Sequence, residues 1–367
     1  MVYKDNNIQL FDLSTSAEIK KKYISGLNEI INNNSFVLGS EVLNFENTFS
    51  NFIGNNYSVG LNSGTDSLEI ALRVLNIGPG DEVIVPSFSF FATSEVVLKV
   101  GAQPIYCDIN KKDLTIDTEE LQNLITKKTK AIIPVHLFGN SCNMSQLKNM
   151  VKNKPIKIIE DVAQAFGSKF KDSYLGTIGD FGCFSFYPTK NLGAWGDGGM
   201  ITFNLKKYLE DIKSLRNHGT TKTYFHEKIG LNSRLDSTQA LILNLKINKF
   251  SKNIEIRKRN NHYLSKKLNN EVFNVHSQED QPMNVFPISV ENKDLLKKSK
   301  KLLDKNNISY GSYYPHGLYE FPVSNLIQNK NIFENTELIK NNIITLPCHP
   351  KVSSAQLNKI INILNSV

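Results

Sequence analysis

Apolar residues recur at helical spacing near the start of the chain and then give way to short β-branched runs, so hydrophobic patterning alone divides the sequence into elements. Ile19, Tyr23, Leu27, Ile30 and Ile31 follow a Thr15-x-x-Glu18 capping box and predict an amphipathic helix. Val42, Phe45, Phe49, Phe52 and Ile53 predict a second, begun at Gly39 and ended by Gly54. A third apolar face is formed by Leu68, Ala71, Leu72 and Leu75. From Glu82 to Asp161, the runs Glu82-Val-Ile-Val-Pro, Gln103-Pro-Ile-Tyr-Cys-Asp, Lys130-Ala-Ile-Ile-Pro-Val and Ile156-Lys-Ile-Ile alternate with helical stretches. Such alternation predicts right-handed crossovers and a mostly parallel central sheet flanked by helices, an α/β fold. Strands near 181–187 and 199–203 complete the sheet. A helix from Leu235 to roughly Arg259 bridges into a more polar, lysine-rich C-terminal part. The expected division is a large α/β domain over 13–248 and a small α+β domain over 249–367, with residues 1–12 packing on the latter.

Three segments carry candidate chemistry, and each alone admits a plainer reading. In Ser185-Phe-Tyr-Pro-Thr-Lys190-Asn-Leu-Gly-Ala-Trp-Gly-Asp-Gly-Gly199, a lysine stands between an aromatic strand and a run of glycines. Held among Phe186, Tyr187 and Trp195 it would lose hydration, lowering its pKa and favouring the neutral amine that forms a Schiff base with pyridoxal phosphate (PLP). The plainer reading is a surface lysine beside a glycine turn. Lys157-Ile-Ile-Glu-Asp161-Val-Ala-Gln164 reads as a buried parallel strand with Asp161 at its carboxyl end, the edge where open α/β sheets bind ligands. A carboxylate there can keep a pyridinium nitrogen protonated, with Gln164 in reach of the ring's phenolic oxygen; equally, Asp161 can cap a following helix. Ser63-Gly-Thr65-Asp66 opens the helix of Leu68, and a helix N-terminus suits a phosphate, with Thr65 and Ser185 adding hydroxyls. A capped helix with no ligand is the alternative.

The three segments occur together, in order, along one strand–helix alternation, with Phe90 available to stack on a ring. With Asp81-Glu-Val-Ile-Val-Pro-Ser-Phe-Ser-Phe90, Pro134-Val-His-Leu-Phe-Gly139, Leu215-Arg-Asn-His-Gly219 and Gly230-Leu-Asn-Ser-Arg-Leu-Asp236, the chain resembles the DegT/StrS-type nucleotide-sugar aminotransferases over most of its length. The resemblance implies the fold-type-I, aspartate-aminotransferase-like fold of PLP-dependent transferases. It makes Lys190 the Schiff-base lysine and general base and acid, Asp161 the pyridine-nitrogen partner, Gln164 the phenolic-oxygen contact and Phe90 the stacking ring. Thr65, the backbone at Asp66, and Ser185 match phosphate contacts. Asn232 matches a residue sent across from the neighbouring subunit, which implies a homodimer with active sites at its interface. Lys190, where some relatives carry histidine and remove a hydroxyl, argues for transamination.

By the same resemblance the donor is L-glutamate, the cofactor passes through its amine form PMP, and the acceptor is a nucleotide-linked keto-deoxysugar. The wording around Lys190 is most similar to members that convert dTDP-3-keto-6-deoxyhexose to dTDP-3-amino-3,6-dideoxyhexose, in the deoxyamino-sugar chemistry that serves O-antigen and lipopolysaccharide. A UDP-linked or 4-keto sugar is the alternative, and a PLP-binding regulator without turnover is the alternative of another class; intact Lys190, Asp161 and Gln164 argue against the latter. The chain departs from the family's His-Tyr-Pro-x-Pro-x-His at Tyr313-Tyr-Pro-His-Gly-Leu-Tyr319. Tyr314, His316 and Tyr319 are substrate candidates there, unless the loop only packs. Tyr187, His218 and Arg234 are further candidates, against packing, a structural histidine, and an Asp236 ion pair or dimer contact.

Composition removes competitors. The formal charge is +8 from 43 basic and 35 acidic residues, but the lysines are scattered and no aromatic RNA-binding signature appears, which points away from nucleic acid and toward a diphosphate-attracting surface. Cys107, Cys142, Cys183 and Cys348 show no metal-ligand spacing, so reduced thiols and no metal are expected. No apolar run approaches bilayer length and no leader pattern opens the chain, giving the expectation of a cytoplasmic protein free of the membrane.

Overall fold

The computed structural model describes residues 7–323 and 332–367. Its centre is a seven-stranded sheet ordered Tyr57–Leu61, Gly199–Phe203, Phe181–Ser185, Lys157–Asp161, Thr129–Ile132, Glu82–Pro86 and Gln103–Cys107. Only Gly199–Phe203 runs antiparallel to its neighbours; the others pair in parallel or point the same way. The strand Tyr57–Leu61 is the one element of the sheet that patterning did not predict, because small Ser58 and Gly60 interrupt its apolar residues.

Alternation along the strands sends side chains to two faces. Val83, Val85, Ala131, Ile159, Phe181 and Ile201 pack with Leu68, Val96, Val97 and Ile212 from helices Gly64–Val74, Ala92–Lys99 and Leu209–Leu215. Ile84, Ile132 and Ile158 pack with Leu121 and Leu147 on the other face. Phe184 and Met200 meet Phe45, Phe49, Ala240 and Leu243 there. Sheet and helices thus form three layers.

Several boundaries differ from the pattern. Ser16, not Thr15, caps the first helix, Ala17–Asn32, its Oγ accepting from the Ile19 amide (3.3 Å); the Thr15 hydroxyl instead accepts from Trp195 Nε1 (3.3 Å). The span expected as one helix from Leu235 is two, Ser237–Ile247 and Phe250–Lys267, parted at Asn248-Lys249. C-terminally, Asn274–Val275, Phe286–Ser289 and Ile343–Leu346 form an antiparallel sheet covered by Lys293–Lys305 and Ser354–Leu364. Ile8 bridges Ile308 beside it. Residues 1–6 of the segment expected to pack there lie outside the described residues.

Candidate active site

A cavity of about 630 Å³ opens at the carboxyl edge of the parallel strands. Lys190, Asp161, Gln164, Thr65, Ser185, Phe90, Tyr187 and Tyr314 all line it. Its position follows from topology, since each crossover returns the chain to the same sheet edge. Gly64 and Gly199 make room for close approach: a Cβ on Gly64 would sit 2.8 Å from Ser185 Cβ, and one on Gly199 would sit 2.2 Å from the Ser63 carbonyl. The start of helix Gly64–Val74 can therefore lie against the end of strand Phe181–Ser185, bringing the hydroxyls of Thr65 and Ser185 to one wall.

Lys190 sits in the loop between strands Phe181–Ser185 and Gly199–Phe203. Burial lowers its pKa to about 8, against a smaller upward pull from Asp161. The direction is as expected, but the neighbours are not. Phe186 is fully buried against Phe45 and Phe49, and Trp195 packs on Tyr23. Of the three aromatics, only Tyr187 lines the cavity.

Glu160 and Asp161 are adjacent on one strand and face opposite ways. Glu160 is a sealed structural acceptor: it accepts from the amides of Gly176 (2.9 Å), Ile178 (2.8 Å) and Gly179 (2.6 Å) and from His136 Nε2 (3.1 Å). His136 Nδ1 accepts from the Cys142 amide (3.1 Å), which assigns the ring hydrogen to Nε2. Asp161 faces the cavity. Burial pushes its carboxyl above the usual range, opposed by the Ala163 amide (3.1 Å), the Thr93 hydroxyl (3.1 Å) and the Lys190 charge. The chain after Asp161 is a turn, so the helix-cap alternative does not apply.

Gln164 Oε1 accepts from the Phe138 amide (2.9 Å) and its Nε2 donates to the Tyr314 hydroxyl (2.7 Å). Burial raises the pKa of Tyr314, keeping it a neutral phenol. Phe90 remains 58 % exposed, an uncovered aromatic face inside the cavity.

Other candidates lie elsewhere. The Asp66 amide donates to its own helix cap, Ser63 Oγ (3.1 Å), and Asp66 does not line the cavity. Tyr319 packs between Tyr106 and Phe333 with its hydroxyl on Glu337. His316 is exposed and faces Glu320 at 3.8 Å. His218 and Asn232 are exposed, and Arg234 donates to Asn217 (2.9 Å) rather than pairing with Asp236. None of these six lines this cavity.

Sequence reading missed Ser89, Thr93 and Asn284, which do. Ser89 and Thr93, four apart where the chain leaves strand Glu82–Pro86, were within reach of pattern reading; their hydroxyls lie 3.1 Å apart, in line with Asp161. Asn284 has no local signal.

The walls fit PLP: an amine of lowered pKa, a buried carboxylate, a carboxamide, an open aromatic face, and two hydroxyls beside a helix N-terminus. Among the described residues, no cluster suits a metal ion and no helix is long and apolar enough to cross a membrane.

Comparison with known proteins agrees. A UDP-N-acetyl-3-dehydro-alpha-D-glucosamine 3-aminotransferase of Acidithiobacillus ferrooxidans is 44% identical over 227 residues, a match spanning 62% of this chain and 62% of that protein. A dTDP-3-amino-3,6-dideoxy-alpha-D-galactopyranose transaminase of Aneurinibacillus thermoaerophilus is 32% identical over 346 residues, 94% of this chain and 95% of its own. The structure of DesV from S. venezuelae, solved in complex with a ketimine intermediate, matches with a TM-score of 0.92 at 30% identity over 98% of both chains. Other neighbours of the same fold were solved with PLP or PMP. The DegT/DnrJ/EryC1/StrS aminotransferase family model covers residues 17–365, and the chain accordingly belongs to that family, as a PLP-dependent sugar aminotransferase acting on nucleotide-linked keto sugars.

Proposed function

We propose that the chain moves the amino group of L-glutamate to carbon 3 of a dTDP-linked 3-keto-6-deoxyhexose, giving the dTDP-3-amino-3,6-dideoxyhexose. The observation that carries the transamination chemistry is that Lys190 and Asp161 share one cavity at the carboxyl edge of the sheet. Bound PLP supplies an electron sink for the bond that breaks at the amine-bearing carbon. In this reading Asp161 holds the pyridine nitrogen protonated, and Thr93 fixes the carboxylate. Gln164, with one Nε2 hydrogen on Tyr314, offers the second to the phenolic oxygen. Thr65, Ser185 and the helix start hold the phosphate. With PLP bound, Lys190 Nζ would be the base that takes the proton from the substrate carbon and the acid that gives it back, a task suited by a pKa of about 8.

Carbon 3 is supported by the names of both relatives above, and dTDP by the relative that matches over nearly the whole chain. A second reading, a UDP-linked 3-keto sugar, is favoured by the relative of higher identity. Incubation with L-glutamate and each synthesised ketosugar, with product mass and NMR, separates them. Turnover only with a 4-keto sugar would refute carbon 3, and turnover only with a UDP sugar selects the second reading. A visible cofactor band unmoved by glutamate favours a regulator.

The working unit in this proposal is a cytoplasmic homodimer. Ile24, Phe36, Val37 and Leu43 expose 60%, 48%, 52% and 58% of their surface, apolar exposure that a partner copy would cover. Asn232 and His218 stand outside their own cavity, as residues serving a neighbour's would. All four cysteines are buried free thiols, in keeping with a reducing compartment. Sedimentation as a monomer at micromolar concentration would overturn the dimer.

A further inference from the structure

The loop that carries Lys190 is held from a part of the chain more than ninety residues away. Asn284 Nδ2 donates to the Thr189 carbonyl (3.0 Å) and to Asn191 Oδ1 (3.1 Å), one contact on each side of Lys190. Asn191 Nδ2 donates in turn to the carbonyls of Pro282 (2.9 Å) and Phe166 (3.1 Å). The Asn284 amide donates to the Phe138 carbonyl (2.7 Å), and the Phe138 amide is the donor that orients Gln164. One turn, residues 282–284, thus reaches both the lysine and the carboxamide of the cavity.

Arg257 fixes that turn. It is 5% exposed, and its Nη1 donates to the carbonyls of Met283 (2.8 Å) and Asn284 (3.2 Å). Its Nε has no hydrogen-bond partner, and no carboxylate pairs with it among the described residues. A buried cation without a carboxylate partner is costly, and here its donors go to the backbone of this turn and to the Cys348 side chain.

We infer that Asn191, Asn284 and Arg257 are positioning residues that clamp the backbone on both sides of Lys190, so that the amine enters the cavity from a fixed origin. The inference rests on Lys190 being the cofactor lysine. Its physical basis is leverage: a long side chain swings from its Cα, and a displacement of about 1 Å at a reacting group costs on the order of 10²-fold in rate. Two carboxamides that bond the neighbouring backbone and each other remove that freedom before substrate arrives.

The test uses the PLP-loaded protein and the variants Asn284→Ala and Asn191→Ala. Three quantities are read: kcat and KM for the glutamate half-reaction, the pH midpoint of the visible cofactor band, and thermal unfolding. Each variant is expected to lose about 10- to 100-fold in kcat with KM for glutamate held within about threefold, and to shift the pH midpoint of the band. The double variant is expected to fall no more than about threefold below the worse single one, because both side chains serve one clamp. An unchanged kcat and midpoint overturns the inference. So does a loss of kcat that tracks lost folded protein with the midpoint unmoved. Should Asn284→Ala not fold, Asn191→Ala decides alone, since it leaves the Arg257 contacts in place. A native protein that shows no visible band with PLP removes the cofactor-lysine reading itself, and the clamp with it; a normal native band with unaltered variants overturns the clamp only.

Discussion

Lys190, Asp161, Gln164, Thr65, Ser185 and Phe90 come from separate stretches of sequence and meet on one cavity, whereas His218, Asn232, Arg234, His316 and Tyr319 stay on outer loops or pack elsewhere. The first set stands at or just beyond ends of strands and the start of a helix, so parallel pairing brings it to one edge. The second set flanks the hairpin Thr220–Lys222 with Phe225–His226 or lies late in the Tyr313–Tyr319 loop, segments whose neighbours are not set by strand order. Residues anchored by the sheet can be assigned to a site from one chain alone. Residues on loops acquire a site only from whatever packs against them.

The largest effect expected in the inner set is that of Lys190→Ala, a loss of about 10⁴-fold in amine transfer, the upper range for a group proposed as both proton carrier and attachment point. A loss below tenfold would dissolve the distinction between inner and outer sets. Asp161→Asn keeps the shape and removes the charge, and about 10²-fold is expected in kcat, equivalent to a charge-assisted hydrogen bond of about 3 kcal/mol. Retained PLP binding would show that the loss is in chemistry.

A pH measurement sharpens the same comparison. Because burial depresses the Lys190 pKa to about 8, the amine is mostly protonated below that pH and neutral above it. Covalent capture of PLP by cofactor-free protein is therefore expected to accelerate roughly tenfold per unit from pH 6 to about 8 and then level; a profile still rising to pH 10 would mark an ordinary exposed lysine. Thr93→Val removes a donor to the Asp161 carboxylate and raises that carboxyl further. About tenfold loss is expected, greatest at the acid end of a pH–rate profile. At the small end, Tyr319→Phe in the outer set should leave kcat and KM within about threefold while lowering stability by about 1 kcal/mol through its lost bond to Glu337, read by denaturant unfolding. A large kinetic effect there would show that Tyr319 serves the reaction after all.

Much of this was legible before any coordinates. The apolar runs that became strands Glu82–Pro86, Gln103–Cys107 and Lys157–Asp161 are bounded by polar turns, and the amphipathic helix Ser40–Ile53 buries Val42, Phe45, Phe49 and Ile53 as its spacing predicts. Local chemistry misled where two neighbours compete for one task. Ser16 and Thr15 can both cap, and the choice fell to Ser16 because Trp195, distant in sequence, engages Thr15. Phe186 and Trp195 surround Lys190 in sequence but turn to other aromatic partners, so the desolvation inferred from them comes from other walls.

Sequence by itself determined the order of strands and helices, the small residues that let Gly64 lie against Ser185, and the placing of Asp161 at a strand end and of Lys190 in the loop between two strands, because period, turn chemistry and crossover handedness are local or near-local properties. Tertiary structure alone decided that Glu160 is sealed while Asp161 faces the cavity with Thr93 beside it, that Gln164 leans on Tyr314, and that Asn284 reaches Thr189 and Asn191. Those contacts join residues up to 150 positions apart, and a hydrogen bond between distant side chains leaves no periodicity to read. Its existence depends on angles and separations of a few tenths of an ångström that only the packed core sets.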